Sequence, residues 1–239
     1  MQQVWLKAFF TLFFAGFASA AAADCVVLLH GLARTSSSMR DLEQAFVERG
    51  YRVANIDYPS REYSIEQLSD LVFEQALNAC AADDDEQIHF VTHSLGGILV
   101  RYYLAQHKLH NLGRVVMLAP PNQGSEVIDE LGDVPGFELI GGPSSQQLGT
   151  GPDSIPPQLG PVDYPVGVIA GTRTVNPILS QYLPNPDDGK VSVERTRVEG
   201  MTDFITVPVS HPFIMGARAA IRQAVAFIQT GAFVHDEHP

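Results

Sequence analysis

The sequence is short of positive charge, of cysteine and of long apolar runs. Fifteen Lys and Arg stand against 27 Asp and Glu, a formal net charge of −12. A surface this acidic repels polyanions, which argues against nucleic acid or an anionic membrane as partner and favours solubility. Two cysteines, Cys25 and Cys80, are too few for a disulfide-dense scaffold. No apolar run is long enough for a confident membrane span: the longest candidate, Ala8 to about Phe17, falls short of the ~20 residues needed. Lys7 precedes that run, and Ala18-Ser19-Ala20 and Ala21-Ala22-Ala23 follow it as two A-x-A cleavage patterns. This layout predicts a secretory signal peptide over residues 1–23 and a mature chain from Asp24. Asp24 stands where a lipoprotein would need a small residue before Cys25. The expected product is exported, periplasmic or secreted, with no stable membrane span once the leader is removed. About 216 residues are left, enough for one domain with a sizeable core.

That domain reads as strands alternating with helices. "CVVLLHG" (25–31) is a continuous apolar run ending in glycine, as a strand covered on both faces should be. "YRVANIDYP" (51–59), "QIHFVTH" (87–93), "GRVVMLA" (113–119), "VGVIAG" (166–171) and "FITVPV" (204–209) supply five more. Helical spacing or caps predict helices over 36–49, 64–79, 95–107 and 212–230, the second opened by the capping-box pattern Ser64-Ile65-Glu66-Gln67. Such alternation implies right-handed βαβ units and a mostly parallel sheet with helices on both faces. The stretch 122–165, rich in Gly, Pro, Ser and Gln, shows no sustained period and reads as a loop-rich cap or lid. Cys25 would open the first strand, and Cys80 would close a helix returning to the same end of the sheet. A bridge fits there and would close a loop of about 55 residues, stabilising by around 4 kcal/mol; two buried free thiols are the alternative.

The informative stretch is "HFVTHSLGGILV", residues 89–100. Its strand ends at His93 and its helix begins at Leu95, so Ser94 occupies the connection alone. A turn this tight holds the serine in a strained backbone conformation and needs small neighbours, which Gly96 and Gly97 provide. The helix N-terminus behind it favours developing negative charge. Of the eight histidines, His211 alone follows the last strand in a loop ahead of the final helix.

These residues resemble the α/β-hydrolase superfamily, and within it the small bacterial lipases and esterases. Thr92-His93-Ser94-Leu95-Gly96 is similar to the G-x-S-x-G nucleophile elbow, with Thr92 in place of the first glycine. The departure calls for a slightly more open turn. "LLHGLAR" (28–34) resembles the His-Gly loop of such enzymes, which implies an oxyanion hole formed by the backbone N–H groups of Leu32 and Leu95. His30 itself then serves to fix the loop by hydrogen bonds. The family order is Ser, acid, His. Asp188-Gly189-Lys190-Val191-Ser192 resembles the Asp-Gly-x-Val-Ser run of lipase-like hydrolases, implying Asp188 as the acid and Asp187 as a solvated neighbour.

The resemblance implies a serine hydrolase cleaving carboxylic esters through an acyl-serine intermediate, with catalytic Ser94, Asp188 and His211. It implies a reduced sheet of about six strands, without the antiparallel pair that precedes the His-Gly loop in larger members. Some relatives bind calcium, but no matching carboxylate cluster can be assembled, so no metal and no cofactor is expected. The expected partner is a small-molecule or lipid ester; oligomeric state is not legible. Val127, Ile128, Leu131, Phe137, Leu139 and Ile140 are either acyl contacts or ordinary loop packing. An acyltransferase with the same triad, and a catalytically silent binding protein on this scaffold, are the competing functions.

Overall fold

The protein is described by a computed structural model covering residues 23–80, 86–132, 134, 136 and 141–235. The expected signal peptide, apart from Ala23, lies outside the described residues. Six strands form one sheet: β1 (Cys25–Leu29), β2 (Arg52–Ile56), β3 (Ile88–His93), β4 (Leu112–Leu118), β5 (Val166–Gly171) and β6 (Asp203–Val207). Their order is β2-β1-β3-β4-β5-β6, and every pairing is parallel. Strand order reverses between β1 and β3, so the loops leaving their carboxyl ends diverge and open a crevice there.

Side chains alternate along each strand and feed two separate cores. On one face Val27 and Leu29 pack with Leu68, Val72 and Phe73 of α2 (Ile65–Ala79) and Ile98 of α3 (Leu95–Gln106). On the other, Val26 and Leu28 pack with Leu42 and Phe46 of α1 (Arg40–Val47) and with Ala224 and Phe227 of the C-terminal helix Arg218–Thr230. Being covered on both faces is why the strands read as unbroken apolar runs. The capping box of α2 forms as expected, with the Ser64 side chain on the Gln67 amide and the Gln67 side chain on the Ser64 amide.

The structure corrects several element boundaries. β1 stops at Leu29, because residues 30–33 leave the sheet to build a loop. Residues 36–39 form a 3-10 turn ahead of α1. The helix expected over 212–230 is two pieces, a 3-10 turn His211–Gly216 and the helix Arg218–Thr230, separated by Ala217 in an extended conformation. Ile214 and Met215 of that turn are buried while Phe213 is 63% exposed, so its apolar residues do not share one helical face. The cap stretch holds short helices Glu126–Leu131, Pro143–Gln146 and Ile155–Gln158. At four to six residues each, they are too short to show a period in sequence.

Cys25 and Cys80 are joined by a disulfide across 55 residues. It ties the first residue of β1 to the end of α2. Reduction with dithiothreitol is expected to lower Tm by roughly 8–16 °C, from about 4 kcal/mol of lost stability at 2–4 °C per kcal/mol. Calorimetry with and without reductant checks this, and an unchanged Tm would contradict it. No described helix is long and apolar enough to cross a membrane.

Candidate active site

Ser94 joins the end of β3 directly to the start of α3 with φ 51° and ψ −119°. A non-glycine residue in such a conformation costs of order 1–3 kcal/mol and persists only when its surroundings enforce it. Here its N–H donates to the Leu118 carbonyl at 2.9 Å and its carbonyl accepts from the Gly97 N–H at 3.0 Å. The helix must also approach the loop after β1 closely. A Cβ on Gly96 would lie 2.8 Å from the Leu29 carbonyl oxygen, and one on Gly97 would lie 3.2 Å from Thr92 Oγ1. Gly97 therefore makes the room that Thr92, standing in place of the usual glycine, takes up.

His211 leaves the end of β6 on the 3-10 turn and reaches back over the sheet. Its Nε2 lies 3.0 Å from Ser94 Oγ, and its Nδ1–H donates to Asp188 Oδ2 at 2.8 Å. The other oxygen of Asp188 accepts the Lys190 and Val191 amides at 3.0 and 2.8 Å. A backbone bond from His211 N–H to the Asp188 carbonyl at 3.0 Å locks the two loops together. With Nδ1–H committed to the carboxylate, Nε2 presents its lone pair to the serine hydroxyl. All three residues are buried. Ser94, Asp188 and His211, separate in sequence, are thus brought into one hydrogen-bonded row.

Asp187 is not the solvated neighbour expected. It is buried, accepting the Ser180 hydroxyl and the Gly189 amide, and so shapes the turn that aims Asp188. His93 is a contributor that the sequence did not single out. Its Nε2–H donates to the His211 carbonyl at 3.2 Å, steadying the turn that carries the imidazole. Burial first, then His211 and the Arg34 cation, hold its pKa well below the ordinary histidine value. It stays neutral, and its position directly before Ser94 was the available signal.

The loop after β1 is held from within. His30 Nδ1–H donates to the Gly31 carbonyl at 2.9 Å, and its Nε2 accepts the Tyr58 amide at 3.3 Å. The Tyr58 hydroxyl in turn donates to the His30 carbonyl. Burial lowers the His30 pKa, so its 3.7 Å approach to Asp57 is not an ion pair. Ala33, at φ 55°, donates its N–H to Ser60 Oγ at 3.0 Å. The amides of Leu32 and Leu95 donate to no acceptor among the described residues. Leu95 is the first residue of α3, where an N–H has no intrahelical partner.

A cavity of about 440 Å³ opens over Ser94 and His211, within the range of small-molecule sites. Val127, Ile128, Leu148, Val175 and Leu179 are among its apolar lining. Of the cap residues singled out in the sequence, Val127 and Ile128 line it, half-buried Leu131 does not, and Phe137, Leu139 and Ile140 lie outside the described residues. Among the described residues no group of three or more His, Cys, Asp or Glu is placed to hold a metal ion.

The sheet order, the crevice at its switch point and the strand–serine–helix turn define an α/β hydrolase. The family profile described as the alpha/beta hydrolase family matches residues 26–239, and the chain belongs to that family. Among solved structures, a lipase from Bacillus licheniformis in its propeptide form superposes with TM-score 0.70 at 19% identity, over 91% of this chain and 52% of that one. The present chain thus spans about half the length of that form. The mature form of the same lipase gives 0.66 at 19%, over 90% and 94%. A phospholipase, PlaB, from Legionella pneumophila gives 0.57 at 22%, over 73% and 46%. No curated protein matches the sequence.

Proposed function

We propose that this hydrolase cleaves carboxylic esters through an acyl-serine intermediate, after export and removal of its leader. The observation that carries this is the unbroken row from Ser94 Oγ through His211 to Asp188, at 3.0 and 2.8 Å. His211 Nε2 takes the hydroxyl proton as Ser94 Oγ attacks the ester carbonyl carbon. The carbonyl oxygen becomes an oxyanion and accepts from the Leu32 and Leu95 amides, which have no other acceptor among the described residues. Asp188 holds the imidazolium in place. The C–O bond to the alcohol breaks, and the alcohol leaves with the proton from His211. Water then gives a proton to His211 and attacks the acyl carbon, and Ser94 departs with that proton. The disulfide agrees with an oxidising compartment, and the lipase and phospholipase names of structural neighbours agree with an ester substrate.

The test is hydrolysis of 4-nitrophenyl esters of graded acyl length. Val127, Ile128, Leu148 and Leu179 line the cavity, and each buried methylene is worth about 0.8 kcal/mol. The expected kcat/KM rises by about fourfold per added methylene until the cavity is full, then levels. Failure to cleave any member of the series overturns the assignment.

A further inference from the structure

Two cations line the cavity over Ser94, and among the described residues nothing pairs with them. Arg34 lies two residues past Leu32 in the loop after β1, and Lys190 two residues past Asp188; both contribute to the cavity wall and both are exposed. Among the described residues, neither side chain makes a hydrogen bond, and no carboxylate lies within 4.0 Å of either. In a chain with formal net charge −12, two cations that share the wall of the cavity over Ser94 give that opening a local positive charge against an acidic background. The single carboxylate of the cavity wall, Asp188, has both oxygens committed to His211, Lys190 N–H and Val191 N–H.

Their backbones are fixed. Lys190 N–H is held by Asp188, and the Lys190 carbonyl accepts the Ser125 hydroxyl at 2.7 Å. Arg34 N–H donates to the Gly31 carbonyl at 3.2 Å, just after Ala33 is pinned to Ser60. The two charges also act on each other. Partial desolvation lowers the Lys190 pKa, Asp188 opposes it, and Arg34, the smallest of the three influences, adds to the lowering. An anion entering between them would relieve that repulsion, and the low-dielectric wall would strengthen the attraction.

We propose that Arg34 and Lys190 bind an anionic group, carboxylate or phosphate, carried by the ester substrate itself. The natural substrate is then an amphiphilic ester: its acyl chain lies along Val127, Ile128 and Leu148 while its negative charge sits near the scissile carbonyl. This rests on the ester hydrolase assignment above.

The experiment compares matched substrate pairs. Valeryloxyacetate against propyl valerate tests a carboxylate held beside the scissile ester, and a 1-acylglycerol 3-phosphate against the same 1-acylglycerol tests a phosphate. The readout is the ratio of kcat/KM, anionic over neutral. In the Arg34→Gln/Lys190→Gln protein at least one ratio is expected to fall by about tenfold or more. Arg34→Lys/Lys190→Arg, which keeps both charges, should hold most of the ratio. In the unaltered protein the same ratio should fall between about 0.01 and 0.5 M NaCl, a measurement independent of how any variant folds. A fall in one pair alone identifies that anion as the source. Ratios unchanged within about twofold in both pairs, across variants and salt, overturn the inference while neutral ester cleavage continues. If the unaltered protein cleaves neither neutral nor anionic esters, the hydrolase assignment falls with it.

Discussion

Replacing Ser94 by alanine is expected to lower kcat for a 4-nitrophenyl ester by about 10⁶-fold, the scale seen when the serine of such a triad is removed. No other hydroxyl is expected to substitute, because His211 Nε2 has Ser94 Oγ as its hydrogen-bond partner. The fold should survive. Ser94 sits at φ 51°, which is no harder for alanine than for serine, and its backbone bonds to Leu118 and Gly97 do not involve the side chain. Tm should therefore stay within about 4 °C, equivalent to 1–2 kcal/mol in a domain of this size. A variant that keeps more than about a tenth of the rate would remove Ser94 from the chemistry.

Asp188→Asn should cost about 10⁴ in kcat with little change in KM, the scale of the corresponding substitution in a serine protease. The local geometry says why. Oδ1 of Asp188 accepts two backbone amides, from Lys190 and Val191, so an asparagine would keep its carbonyl oxygen there. Its NH₂ would then face His211. The imidazole would have to accept at Nδ1 and carry its proton on Nε2, where it cannot take the proton of Ser94. Hydrogen bonds are exchanged rather than lost, so stability should change little. Steady-state kinetics with thermal unfolding measures both, and a loss below about tenfold would contradict the assigned role.

Much of this was legible in the sequence because the sheet is covered on both faces. Strands such as Val26 to Leu29 then read as continuous apolar runs, and six of them with helices between fix a parallel architecture. The serine was legible because a strand end, a lone Ser94 and two glycines leave the backbone few ways to proceed. His211 followed from the end of the last strand, and Asp188 from its likeness to lipase-like acid loops. What escaped depended on packing across distant segments. The burial of Asp187 is set by Ser180 and by the turn at Gly189, neither of which periodicity reports. His93 acts through the carbonyl of His211, 118 positions away. The strand ends fell short where residues 30–33 leave the sheet, since local propensity cannot show where a loop pulls free. The short cap helices carry too few turns to leave a hydrophobic period.

The most direct measurement is covalent titration with diethyl 4-nitrophenyl phosphate, followed by mass analysis of the digested protein. One equivalent of nitrophenolate should be released as the diethylphosphoryl group is transferred to the peptide containing Ser94, and the His211→Ala protein should label far more slowly. Label on a different serine, or sustained ester hydrolysis with Ser94 left unmodified, would contradict the account.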